Sequence, residues 1–149
     1  MKIVIQNVLK ASVSINGEIY SSINKGYLLL VSFTIDDNIE ICKKMAQKIS
    51  TLRIFDDENG KTNLSIKDVG GNILSVSQFT LYADCRHGNR PSFTSCMKQE
   101  EANLLYEDFN KELIKLGFDI KTGVFRADMK VSLVNDGPFT IILDSKEIF

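Results

Sequence analysis

His87 is the only imidazole in the 149 residues, and it stands in the run Cys85-Arg86-His87-Gly88-Asn89-Arg90. A Ser-His-Asp or Cys-His mechanism needs a histidine oriented by a third group, whereas a histidine set between Arg and Gly in a loop-forming stretch is solvated. General-base catalysis by a side chain is therefore not expected. The cysteines, Cys42, Cys85 and Cys96, are odd in number, far apart and without C-x-x-C spacing, which supports neither a disulfide framework nor a zinc site. Gly70-Gly71 lies ahead of a strand-like run and cannot set amides at a helix N-terminus against a phosphate. Neither a metal nor a cofactor is expected.

Three other stretches could carry chemistry. Arg86-His87-Gly88-Asn89-Arg90-Pro91-Ser92-Phe93 gathers two guanidinium groups, an imidazole and an aromatic ring. Such a loop can grip phosphates and stack a base, although on pattern alone the commoner reading is a solvated surface loop. Ser77-Gln78-Phe79-Thr80 is a polar cluster where an apolar strand meets that loop; strand ends often carry sites, although such hydroxyls can also serve local backbone groups. Asn135-Asp136-Gly137-Pro138-Phe139-Thr140 reads as a plain β-turn or as something more specific. A Gly-Pro peptide presents two adjacent carbonyl oxygens with no Cβ on the first residue, and in the cis form open to X-Pro bonds both can point one way. Two parallel carbonyls make a rigid acceptor for an ammonium group.

These stretches need elements to position them. Val13, Ile15, Ile19 and Ile23 flank Asn16-Gly17, predicting a β-hairpin over 11–23 after a first strand at 2–8. The apolar run 27–35 is too short for most helices and reads as a strand buried on both faces. Asp37 and Glu40 form a capping box ahead of Cys42, Met45, Ala46 and Ile49, predicting a helix over about 38–52. Gly70-Gly71 punctuates before a strand at about 72–81. Ala102, Leu105, Tyr106, Phe109, Leu113 and Leu116 trace one face of a second helix over about 98–116, stopped by Gly117. Strands at 129–133 and 139–143 close the chain, on either side of the Gly-Pro turn. Two main helices among about eight short strands, without regular βαβ alternation, predict a single α+β domain with a mixed, largely antiparallel curled sheet or barrel.

At 149 residues the chain can bury about 68–70% of the surface its unfolded form exposes and needs no staple. With 18 Lys plus Arg against 19 Asp plus Glu, it cannot coat nucleic acid through bulk charge. No DNA partner is expected, and any anionic partner must meet a local patch. No apolar run approaches the length of a membrane span or of a signal peptide, so a cytoplasmic location is expected.

Ser77-Gln78-Phe79-Thr80-Leu81-Tyr82-Ala83-Asp84 and Asn135-Asp136-Gly137-Pro138-Phe139-Thr140 closely resemble the two signatures of the D-aminoacyl-tRNA deacylases, also called D-tyrosyl-tRNA deacylases. Ala11-Ser12-Val13, Leu52-Arg53-Ile54-Phe55, Asn63-Leu64-Ser65, Asp68-Val69-Gly70-Gly71, Arg90-Pro91-Ser92-Phe93 and Ala127-Asp128-Met129 also fall where that family has them. The resemblance implies a homodimeric hydrolase that cuts the ester joining a D-amino acid to the 3′-terminal adenosine of tRNA. Gly137 and Pro138 of one subunit would reach the partner's pocket, hold the α-ammonium and exclude an L side chain. Ser77, Gln78, Phe79 and Thr80 would line the adenosine pocket, with the Phe79 amide donating to the ester oxyanion and Met129 in the same cavity. The substrate's 2′-hydroxyl would assist water, or, on an older proposal, the threonine matching Thr80 would be a nucleophile. Arg86, Arg90 and Lys98 would grip the acceptor end. Two departures stand out: Asn7 where the family usually has an Arg that anchors the Gly-Pro loop, and Phe139 in place of the common Val. A related deacylase that removes glycine or mischarged small residues, and a non-catalytic tRNA-end binding module, are the alternatives.

Overall fold

The computed structural model describes residues 1–149. In chain order it forms β1 (Lys2–Ile15), β2 (Glu18–Ile23), β3 (Gly26–Ser32), α1 (Ile39–Thr51), β4 (Arg53–Asp56), β5 (Thr62–Ser65), β6 (Asn72–Ser77), a 3₁₀ turn (Phe79–Tyr82), α2 (Gln99–Lys115), β7 (Ile120–Thr122), β8 (Lys130–Asp144) and α3 (Ser145–Ile148). β1 pairs antiparallel with β2, β3 and β8, while β3–β6 and β6–β7 are parallel, giving a six-stranded mixed sheet beside a small β4–β5 ribbon. Ser21 Oγ of β2 donates to the Thr122 carbonyl of β7 at 2.7 Å. That contact brings the two ends of the strand order together, so the sheet nearly closes into a barrel. No helix is long and apolar enough to cross a membrane.

Two long strands replace the four shorter ones expected from the sequence. The first strand and the near arm of the hairpin are one strand, β1, and the two segments flanking Gly137-Pro138 are one strand, β8. The alternation that looked broken marks irregular pairing: the register between β1 and β8 shifts between Gln6 and Val8 and again between Val8 and Lys10. A one-residue slip turns every following side chain to the other face. Accordingly Ile3 and Ile5 lie in the larger core against the helices, while Val8, Ala11 and Val13 lie in a second, smaller core on the opposite face. β8 does the same, sending Val131 and Leu133 to the small core and Phe139, Ile141 and Leu143 to the large one. Pro138 is tolerated because β8 pairs on one side only, with β1, and an edge position needs no ladder N–H.

The strand expected over 27–35 ends at Ser32 and leaves Ile35 exposed, but the run does face both cores, with Tyr27, Leu29, Val31 and Phe33 on one side and Leu28 on the other. α1 buries Cys42, Met45, Ala46 and Ile49 as their spacing predicts. Its cap is Asn38 rather than Asp37: Asn38 Oδ1 accepts from the Glu40 and Ile41 amides at 3.0 and 3.3 Å. Asp37 instead accepts from the Thr34 amide at 2.7 Å and pairs with the Met1 ammonium. α2 ends at Gly117, φ +92°, where Phe118 N–H donates to Leu113 O and Gly117 N–H to Ile114 O. This is the paired C-terminal closure that a left-handed glycine permits, with Leu113 and Phe118 both buried beside it. The strand expected to run to residue 81 stops at Ser77. Gln78 N–H makes a last bond to Val31 O at 2.7 Å, and the chain then turns into the 3₁₀ segment.

Candidate functional site

Where β6 ends, the side chains of Ser77, Gln78 and Phe79 line a cavity of about 600 Å³. Phe93, Cys96 and Met97 wall it from the segment that follows the 3₁₀ turn, Lys98, Gln99 and Ala102 from the start of α2, and Phe125 to Met129 from the β7–β8 connection. Tyr106 of α2 ties these walls together. Its hydroxyl donates to the Ser75 carbonyl at 2.7 Å, and its ring lies 6.0 Å from that of Phe125. Met129 has room because residue 123 is glycine: a Cβ there would meet Met129 Sδ at 2.4 Å.

Phe79 is 58% exposed and packs edge-on against Phe93, centroids 5.0 Å apart. An exposed aromatic pair at a cavity mouth is a surface on which a flat ring can stack. Ser32 Oγ and Cys96 Sγ both donate to the Phe79 carbonyl, at 3.3 and 3.5 Å, which fixes the peptide that opens the turn. The first amides of a 3₁₀ turn have no acceptor within it, so Phe79 and Thr80 present N–H groups at this end of β6. Burial pushes the Cys96 thiol above its usual range, which disfavours the thiolate a nucleophile requires.

The other residues expected at the site fall in three places. Met129 lines the cavity. The exposed Thr80 is not among its lining; its hydroxyl accepts from Gln78 Nε2. Arg86 and Arg90 are exposed and also outside that lining. Arg86 borders a separate shallow depression with Lys2 and Tyr82. There it forks onto Asp84, with Nε–Oδ1 at 2.9 Å and Nη2–Oδ2 at 2.6 Å, and these hydrogen bonds hold the Asp84 carboxyl down to about 2. The cations that do reach the cavity are Lys98 and Arg126. Nothing in the local sequence marks Phe125 or Arg126, whose turn lacks the glycine or asparagine that would signal it.

Gly137 and Pro138 are exposed on β8 and do not line the cavity of their own chain. The bond between them is cis. Asn135 closes the excursion on itself, with Oδ1 accepting from Phe139 N–H at 3.0 Å and Nδ2 donating to Thr140 Oγ1 at 3.1 Å. Asn7 takes no part. It is buried and donates from Nδ2 to the Ile54 carbonyl, across the large core. Phe139 packs against that same core.

Residues 4–144 match the family model described as D-Tyr-tRNA(Tyr) deacylase. A D-aminoacyl-tRNA deacylase of Lactobacillus acidophilus is 58% identical over 144 residues, covering 97% of this chain and 99% of the relative. One from Lactobacillus gasseri is 56% identical with the same coverage. Among solved structures, the c-Myc DNA Unwinding Element Binding Protein superposes with a TM-score of 0.91 at 40% identity, covering 97% of this chain and 98% of that one. A probable eukaryotic D-amino acid tRNA deacylase superposes at 0.84 with 15% identity, covering 95% and 97%, and carries the fold alone. On the family match and the near-complete span of its relatives, the chain belongs to the D-Tyr-tRNA(Tyr) deacylase family of hydrolases.

Proposed function

We propose that this chain hydrolyses the ester between a D-amino acid and the 3′-terminal adenosine of tRNA, adding water to release the free D-amino acid and intact tRNA. The observation that carries this reading is the cavity at Ser77-Gln78-Phe79: it holds an aromatic platform and an amide-bearing turn, and it has no imidazole. Its one carboxylate, Asp128, is paired with Lys130 at 2.7 Å. An activated ester can be cleaved at such a site when backbone N–H groups stabilise the developing oxyanion, since one such donor is worth about 10²–10³ in rate. The substrate's own 2′-hydroxyl assists the attacking water.

Selection by handedness falls to main chain. Gly137 and Pro138 enter the partner's cavity in a cytoplasmic homodimer, where their carbonyls hold the α-ammonium and leave no space for an L side chain. This arrangement is supported by their exposure on the unpaired edge of β8, where Val134 and Ile142 are exposed as well, the latter 70%. A 10³-fold preference corresponds to about 4 kcal/mol, the scale of a steric clash.

The test is release of tyrosine from D-Tyr-tRNA and from L-Tyr-tRNA. Faster release from the D substrate is expected. Equal release would point to a deacylase of another preference, and binding without release to a tRNA-end module. Thr80→Ala is expected to retain most of the wild-type kcat, because its hydroxyl is engaged by Gln78 outside the cavity lining. Loss of turnover with binding intact would make that hydroxyl the nucleophile.

A further inference from the structure

Two residues other than glycine have a positive φ: Asn16 at 52° and Arg126 at 67°. Asn16 opens the β1–β2 hairpin turn, where asparagine is at home. Arg126 occupies the third place of the turn Val124–Ala127, closed by Ala127 N–H to Val124 O at 3.1 Å, and that place belongs to glycine. Any residue with a Cβ is disfavoured there. Strain of this kind persists where the side chain serves the site.

Arg126 borders both the Ser77–Phe79 cavity and the depression adjoining it at the start of α2. No carboxylate pairs with its guanidinium. Asp128 is taken by Lys130, and Glu100 and Glu101, which share the adjoining depression, make no ion pair with it. Lys98, at the start of α2, borders both spaces too and is likewise unpaired. The cavity mouth therefore carries two free cations on different elements; of the three cations suggested by the sequence only Lys98 is among them, while Arg86 is paired with Asp84 and Arg90 lies outside the lining.

The substrate class decides what anion these cations meet. In an aminoacyl ester the carboxyl group is consumed by the ester and the amino group is cationic, so the anion nearest the reacting carbon is the phosphodiester on the 5′ side of the terminal nucleoside. A planar guanidinium suits it, binding two phosphate oxygens at once. We infer that Arg126, with Lys98, forms a phosphodiester subsite at the cavity mouth that docks the backbone of the substrate's single-stranded 3′ end. This rests on the deacylase reading above.

Arg126→Gly tests it with an unusual sign. Glycine relaxes the backbone, so Tm is expected to hold or rise. KM for D-Tyr-tRNA rises about tenfold or more, as for loss of a charge-assisted hydrogen bond, and the slope of log kcat/KM against log salt falls in magnitude by about 0.7, one phosphate of a single strand. Arg126→Lys keeps the slope. A 3′-O-D-tyrosyl adenosine, which has no phosphate, raises the wild-type KM, and combining it with Arg126→Gly adds nothing further. Unchanged KM and slope in Arg126→Gly, or additive losses with the truncated substrate, would overturn the subsite while leaving the deacylase reading in place. A wild-type chain that releases tyrosine from neither substrate overturns both.

Discussion

Gly26→Ala is expected to destabilise the protein by about 3 kcal/mol or more and to lower Tm by roughly 6–12 °C. The reason is a close approach of two backbones. Gly26 opens β3 opposite Asn72 in the parallel β3–β6 ladder, and a Cβ there would lie 1.9 Å from the Asn72 carbonyl oxygen and 2.6 Å from its nitrogen. No rotamer relieves such a clash, because the obstacle is main chain. Either the ladder opens or β6 moves, and β6 is the strand that delivers Ser77 and Gln78. Gly17→Ala is the control. Its φ of +83° also disfavours a side chain, but nothing lies within 4 Å of the added carbon, so the loss there is near 1 kcal/mol. Thermal melts of both variants decide the matter: a Gly26→Ala shift no larger than that of Gly17→Ala would mean the strands part easily.

The second large effect is on selectivity. In Gly137→Ala the ratio of D- to L-tyrosine release is expected to fall at least tenfold, about 1.4 kcal/mol of discrimination, with Tm lowered by only a few degrees, the scale of about 1–2 kcal/mol of strain at a positive φ. At φ +126° an added Cβ would sit 3.0 Å from Phe139 N and 3.2 Å from Phe139 Cβ. Residue 137 must then rotate or push Phe139 away from Asn135, whose side chain holds that amide. Displacing a positioning group by 1 Å can cost about 10²-fold, and on the function proposed above this peptide is the group that discriminates. Initial rates on the two charged tRNAs measure the ratio directly. A ratio that survives would remove this peptide from the choice of hand.

Helices and turns were legible in the sequence because their causes are local. The spacing of Cys42, Met45, Ala46 and Ile49, the stop at Gly117 and the Asn16-Gly17 turn all hold in the structure. The expected extents of β1 and β8 failed for a non-local reason. Leu9-Lys10 and Gly137-Pro138 look like interruptions until a partner strand is present to absorb them as irregular pairing. The site divides the same way. Ser77, Gln78, Phe79 and Met129 are adjacent to motifs and meet in one cavity. Arg126 reaches it only because β7 runs beside β6, a parallel pairing that no nearby residue announces. Charge was only partly readable: of Arg86, Arg90 and Lys98, the cations the sequence suggested, Lys98 lines the cavity, whereas geometry alone reveals that Arg86 is paired with Asp84 and that Arg126 takes its place.

β1 and β8 each contribute side chains to both cores, crossing from one to the other at mid-length. Neither core can melt while its neighbour survives, since the shared strands would have to be half ordered and half frayed within a single ladder. Opening is consequently global. Amide protons in the barrel interior and beneath the helices should exchange with solvent at a common slow rate, and heat should remove both in one calorimetric peak.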